Sequence, residues 1–169
     1  MQDAAGLAAD LRSTRQFFNN STACFAEEDS GFAPVPGTWT VAQQVAHAAR
    51  TVDWFVEGTF RPEGFDMDFE RHVDEILVVR SLAEARAWLA RAFDAAEKAF
   101  GSASAESLSQ LLPEGPVMGG MPRWSVVSAV GDHTAHHRGA LTVYARLLGK
   151  VPAMPYMDAP AAVEEPVTA

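Results

Sequence analysis

The sequence predicts an all-α fold, an antiparallel four-helix bundle, on three observations. Apolar residues recur at steps of three and four along most of the chain. Two capping signatures, Thr40-Val41-Ala42-Gln43 and Ser81-Leu82-Ala83-Glu84, open such runs. Glycine and proline gather between them, where connections belong.

The first helix is expected over about Ala4 to Ala26, where Leu7, Leu11, Phe18 and Phe25 keep an approximate helical spacing. Ser30 to Gly37 holds Pro34, Pro36 and two glycines and reads as a loop. The second helix starts behind Thr40, with Val41, Val45, Ala48, Val52 and Phe55 as its apolar stripe. Arg61 to Arg80 resists assignment: Pro62 and Gly64 break it, and Ile76-Leu77-Val78-Val79 reads as a short strand or a buried extended arm. Ser81 opens a third long helix, with Leu82, Ala85, Leu89, Phe93, Ala96 and Phe100 on one face and Gly101 as its expected C-cap. A short turn over Ala105 to Leu112 precedes a Gly/Pro loop. The last helix runs from Pro122 or Arg123 to Gly149, with Pro152 as a stop signal. The bundle domain is thus placed at residues 1–157, and the Ala/Pro/Glu-rich residues 158–169 read as a flexible tail.

A length of 169 residues suits one domain with a substantial core. The formal charge of -9 is spread along the chain and disfavours nucleic acid as a partner. No run approaches the roughly 20 apolar residues that span a bilayer, so no membrane partner is expected. Cys24 is the only cysteine and reads as a small core residue. With no secretory signal at the N-terminus, the expected compartment is cytoplasmic.

Chemistry concentrates in Asp132-His133-Thr134-Ala135-His136-His137-Arg138-Gly139. Residues four apart on a helix share a face, so His133 and His137 can converge on one divalent ion. Both fall within the stripe Val126, Val130, His133, His137, Leu141, Tyr144 and Leu148, whereas His136 lies toward its flank. The same pair could be core histidines bonded to backbone or water. His47 lies beside the main stripe of its helix, on a line with Gln44, Thr51 and Trp54, and is a possible third ligand. His72, in Asp68-Phe69-Glu70-Arg71-His72, reads as a solvated surface residue. Trp39, Trp54, Trp88 and Trp124 read as packing residues, with Trp54 able to line a pocket. Paired Glu-x-x-His motifs, His-Glu-x-x-His, phosphate loops and patterned cysteines are all missing, which argues against di-iron, zincin and nucleotide chemistries.

Trp39-Thr40 leading to Val45-Ala46-His47, the His133-x-x-x-His137-Arg138-Gly139 motif, and the trailing Leu147-Leu148-Gly149-Lys150-Val151-Pro152 together resemble the DinB/YfiT-like superfamily over roughly residues 5–157. The resemblance implies a four-helix bundle that holds one divalent metal through His47, His133 and His137. It also implies frequent homodimers, and members that include small-thiol-dependent S-transferases and isomerases as well as metal-dependent hydrolases. One departure is Ala140, where many relatives carry Gln, which puts the surroundings of the site in question.

The expected function is therefore a metal-dependent S-transferase joining a low-molecular-weight thiol to an electrophilic small-molecule substrate. The alternatives are a hydrolase that activates water, or a noncatalytic stress-related bundle binding a metal or ligand. Three nitrogens suit zinc, nickel or iron. Asp132, Asp53 and His136 are candidate catalytic bases, and Arg138 and Gln44 are candidates for holding the ligands in place.

Overall fold

The computed structural model describes residues 3–157, so the expected tail at 158–169 lies outside the described residues. Six α-helices are formed among the described residues: α1 (Ala4–Thr22), α2 (Val41–Phe60), α3 (Phe69–Leu77), α4 (Leu82–Gly101), α5 (Ala105–Ser109) and α6 (Val126–Leu147). No strand occurs among the described residues; the nearest approach is one isolated bridge between Leu111 and Pro122. The four long helices form a closed ring in the order α1, α4, α2, α6.

Paired side chains give the directions. Arg12 with Glu97 and Arg15 with Asp94 run α1 and α4 antiparallel. Asp53 with Trp88 and Phe60 with Phe100 run α2 and α4 parallel. Gln44 with Tyr144 and Phe55 with His133 set α2 against α6. The bundle is thus up–down–down–up, two helices each way. The core is aliphatic and aromatic, with Leu11, Phe18, Val41, Val52, Phe93, Phe100, Val126 and Leu141 almost wholly buried. Trp39, Trp54 and Trp88 are among the half-buried side chains packed against it, as is Trp124.

Three local expectations are corrected. The first helix ends at Thr22, not Ala26, because Glu27–Asp29 forms a separate 3-10 turn. Gly101 belongs to α4, and Ser102 is the C-cap. What Gly101 supplies is close approach, since a Cβ there would lie 3.3 Å from the Cβ of Ala8. The third correction concerns Ile76-Leu77-Val78-Val79, expected as a strand or extended arm. Ile76 and Leu77 are the last residues of helix α3, which fills 69–77 of the unassigned stretch, and Val78 is its C-cap in the αR region. With α2 and α4 parallel, the chain must travel back along the bundle between them, and α3 is that return. Trp54 donates to the Asp66 carbonyl near one end, Gln43 donates to the Leu77 carbonyl at the other, and Arg50 is held in between.

The capping chemistry is largely as read. Thr40 and Gln43 exchange both bonds of the capping box. Ser81 accepts from the Glu84 N–H, while the Leu82 and Ala83 N–H groups go to the Glu27 carboxylate, a partner 55 residues away in sequence for Leu82. At the far end of α6, Gly149 adopts φ of 73°. Gly149 N–H bonds the Arg146 carbonyl and Lys150 N–H that of Ala145, which closes a Schellman motif.

Candidate metal centre

Two antiparallel helices deliver the site. The Thr40 cap fixes where α2 begins, and His47 follows two turns later. From α6, His133 and His137 project toward it at the expected four-residue spacing. One nitrogen from each of the three rings lies within 4.8 Å of the others. His133 Nε2 and His137 Nε2 are 3.2 Å apart. Ligand bonds of about 2.0–2.1 Å around a tetrahedral ion put neighbouring nitrogens roughly 3.3–3.4 Å apart, so His133 and His137 already stand near ligand spacing and His47 would close on them to seat an ion.

The protonation state suits ligation. From the ordinary 6.5, burial, reinforced by His133 and His136, pushes His47 down to about 4. Burial and His136 push His133 to about 4 against the opposing charge of Asp132. His137 falls to about 3 through burial and its three histidine neighbours. All three are neutral imidazoles near pH 7, the form that coordinates.

The orientation of His137 is set by a chain of hydrogen bonds. Tyr144 Oη donates to the Trp39 carbonyl at 3.1 Å and accepts from Gln44 Nε2 at 3.3 Å. Gln44 Oε1 therefore faces His137 Nδ1, 2.8 Å away, and accepts its proton. That leaves the Nε2 lone pair of His137 directed at the other two rings. His47 Nδ1 and His133 Nδ1 are buried without a hydrogen-bond partner. The fit to a metal rests instead on the converging nitrogens: one from each neutral imidazole turns toward the other two, and together they are a donor set that a divalent cation would satisfy. The residues present fit a metal.

Aromatic rings wall the trio. The Trp39 ring lies 4.3 Å from that of His47, and Phe55 lies 6.4 Å from His133. On the α3 side a cavity of about 190 Å³ opens against His47 and His133. A larger concavity of about 640 Å³ is an open charged groove on the far side of Arg50, which touches none of the three histidines.

The remaining candidates are placed as follows. Gln44 holds His137, so the amide at the site comes from α2 and not from position 140. Arg138 lies over the Phe17 ring at 5.9 Å and ties α6 to α1. Asp53 accepts from the Trp88 indole at 2.7 Å and lines the charged groove. Asp132 is exposed, and so is His136, whose ring sits edge-on to His137 at 4.9 Å. None of the three candidate bases is one of the convergent ligands.

His72 corrects the sequence reading: it is 6 % exposed, not solvated. Its Nδ1 accepts from Arg50 at 2.8 Å, and its Nε2 faces the Asp66 carbonyl at 3.3 Å. Tyr144, expected only as part of the apolar stripe, is also a functional residue, because its hydroxyl anchors Gln44. Its signal was present: a hydroxyl in an inward stripe, two turns beyond His137, needs a buried partner.

A sequence profile of the DinB superfamily matches residues 10–141. The chain belongs to the DinB superfamily, and its fold and histidine triad agree with that membership. No curated protein matches it. No helix among the described residues is long and apolar enough to cross a membrane.

Proposed function

We propose that this chain is a metal-dependent enzyme that transfers a low-molecular-weight thiol onto an electrophilic small molecule. The observation that carries the reading is the convergence of three neutral imidazoles beside an apolar cavity. His47, His133 and His137 would hold the ion. When bound, a divalent cation on three neutral ligands supplies a Lewis-acidic position that favours the thiolate form of a thiol. Gln44 and Tyr144 keep the His137 lone pair aimed inward, and Trp39 and Phe55 limit water around the rings. In the transfer a sulfur–carbon bond forms, the leaving group departs with its bonding pair, and the thiol proton passes to solvent.

Thiol transfer is preferred over hydrolysis by analogy with the superfamily. Asp53 is engaged by Trp88 and Asp132 faces solvent, so neither is positioned as a general base for water. His136, exposed beside His137, is the one candidate base left to a hydrolytic reading. Homodimerisation, with cytoplasmic residence, completes the reading by analogy with the superfamily.

Metal analysis of protein purified without a polyhistidine tag tests the first step. The expected result is about one ion per chain, largely lost in His47→Ala, His133→Ala and His137→Ala. Full retention by all three variants would remove the basis of the proposal. A glutathione, bacillithiol and mycothiol panel with generic electrophiles tests the second, and activity should vanish with the metal.

A further inference from the structure

The cavity beside the triad has a size and lining that select a ligand. Resting on the reading above, we propose that it binds the uncharged body of the electrophile, a single-ring aryl or short branched alkyl group, with the reactive end toward His47 and His133.

Volume sets the upper limit. The space is about 190 Å³, a little larger than an engineered apolar cavity of about 150 Å³ that takes up benzene. One ring with a small substituent fills it; a fused polycycle or a peptide does not enter. Lining sets the polarity. Trp54, Phe55, Phe69, Val73 and Ile76 form the walls, closed at one end by the two imidazoles.

Charge excludes anions from the body of the cavity. Its only cation is Arg50, whose side chain is 8 % exposed. The guanidinium charge is offset by two carboxylates, Glu75 at 2.7 Å and Glu57 at 3.6 Å, and the group donates to His72 at 2.8 Å. Because Arg50 can only donate, the facing His72 Nδ1 must be an acceptor. His72 is therefore a neutral wall, and no free positive group waits for a carboxylate or phosphate. In the charged groove beyond Arg50 both further cations are paired, Arg71 with Asp66, Asp68 and Glu75, and Arg61 with Glu63 at 3.9 Å.

The mouth is also apolar. Phe69 is 51 % and Val73 37 % exposed, one turn apart on α3. They form a sill between solvent and the cavity. Both can be replaced without opening the core.

The test is fluorine NMR with 4-fluorobenzyl alcohol and its charged analogue 4-fluorobenzoate, titrated into EDTA-treated and zinc-loaded full-length protein. In the metal-free form a carboxylate has no cation to seek. There the alcohol should bind saturably and at least tenfold tighter than the benzoate. Val73→Trp should weaken the alcohol at least tenfold while keeping wild-type helicity and zinc content. No saturable binding to either form of the wild type, or unchanged affinity in Val73→Trp, overturns the proposal. Should Val73→Trp fail to fold, Phe69→Ala is read in its place, with a severalfold weakening expected and unchanged affinity fatal. Zinc content is measured on the same samples. Zinc retained without probe binding sinks the aryl site alone; probe binding without zinc sinks the metal reading alone.

Discussion

Gln44 reaches His137 from the opposite helix and sets which of its nitrogens carries the proton. Gln44→Leu should therefore lower metal affinity by roughly 10–100-fold, the usual cost of losing such a partner. Tyr144→Phe should weaken it less, because the amide can still accept from His137 after losing its own anchor. Competition with a chromophoric chelator measures both. At this scale His133 and His137 were legible because four-residue spacing on an apolar stripe is a direct geometric statement. His47 was legible only as a possibility, since its line of Gln44, Thr51 and Trp54 becomes inward only when a second helix packs on it. His72 was misread because its sequence neighbours are charged. Local charge does not reveal an arginine 22 residues upstream that folds back to meet it.

Helix α3 shows what element-level reading can miss. Phe69, His72, Val73 and Ile76 stand at the i, i+3, i+4, i+7 spacing of an amphipathic helix, but β-branched residues in Ile76-Leu77-Val78-Val79 pulled the reading toward strand. The deciding fact, that α2 and α4 are parallel and need a return segment, belongs to the tertiary structure. The packing of the return on α2 depends on Gly58, where a Cβ would fall 2.2 Å from the Phe65 ring. Gly58→Ala should displace Phe65 from Trp54, 4.8 Å away between ring centres. Overpacking should outweigh the gain in helix propensity and destabilise by about 1 kcal/mol net. Tryptophan fluorescence and a urea titration read the two effects. Thr40→Ala removes half of the α2 capping box and should cost about 1 kcal/mol in the same titration. Both helix starts were correctly placed by sequence, because each cap is a contact between near neighbours. The full box forms only between Thr40 and Gln43, while Ser81 only accepts from the Glu84 N–H. The Glu27 contribution to α4 was not legible, because it crosses the chain.

For the whole molecule, the bundle class was legible from periodicity, while the ring order and the up–down–down–up course were not, since nothing in a stripe says which helix it will face. Acid stability is a property at this scale. The folded imidazoles at about 3 to 4 sit below the ordinary 6.5, so in that window the unfolded chain takes up protons that the folded chain refuses. Stability of the metal-free protein should be highest above about pH 6.5 and fall as pH drops toward 4. The urea midpoint after EDTA treatment should accordingly be lower at pH 5.0 than at pH 7.5, and His47→Gln with His133→Gln should flatten the difference. An identical midpoint at both pH values would count against buried, neutral rings.

The three ring nitrogens come from the second and the last helix, with 85 residues of polypeptide between His47 and His133. An ion seated there acts as a staple across most of the fold. Loop-closure entropy grows with the logarithm of the enclosed length, so such a staple restrains the unfolded chain far more than a clip between neighbouring turns. Its influence reaches α4, which supplies no ligand yet lies wholly inside the enclosed stretch. Chelation should therefore speed amide exchange in the α4 core around Phe93 and Phe100, and not only beside the histidines.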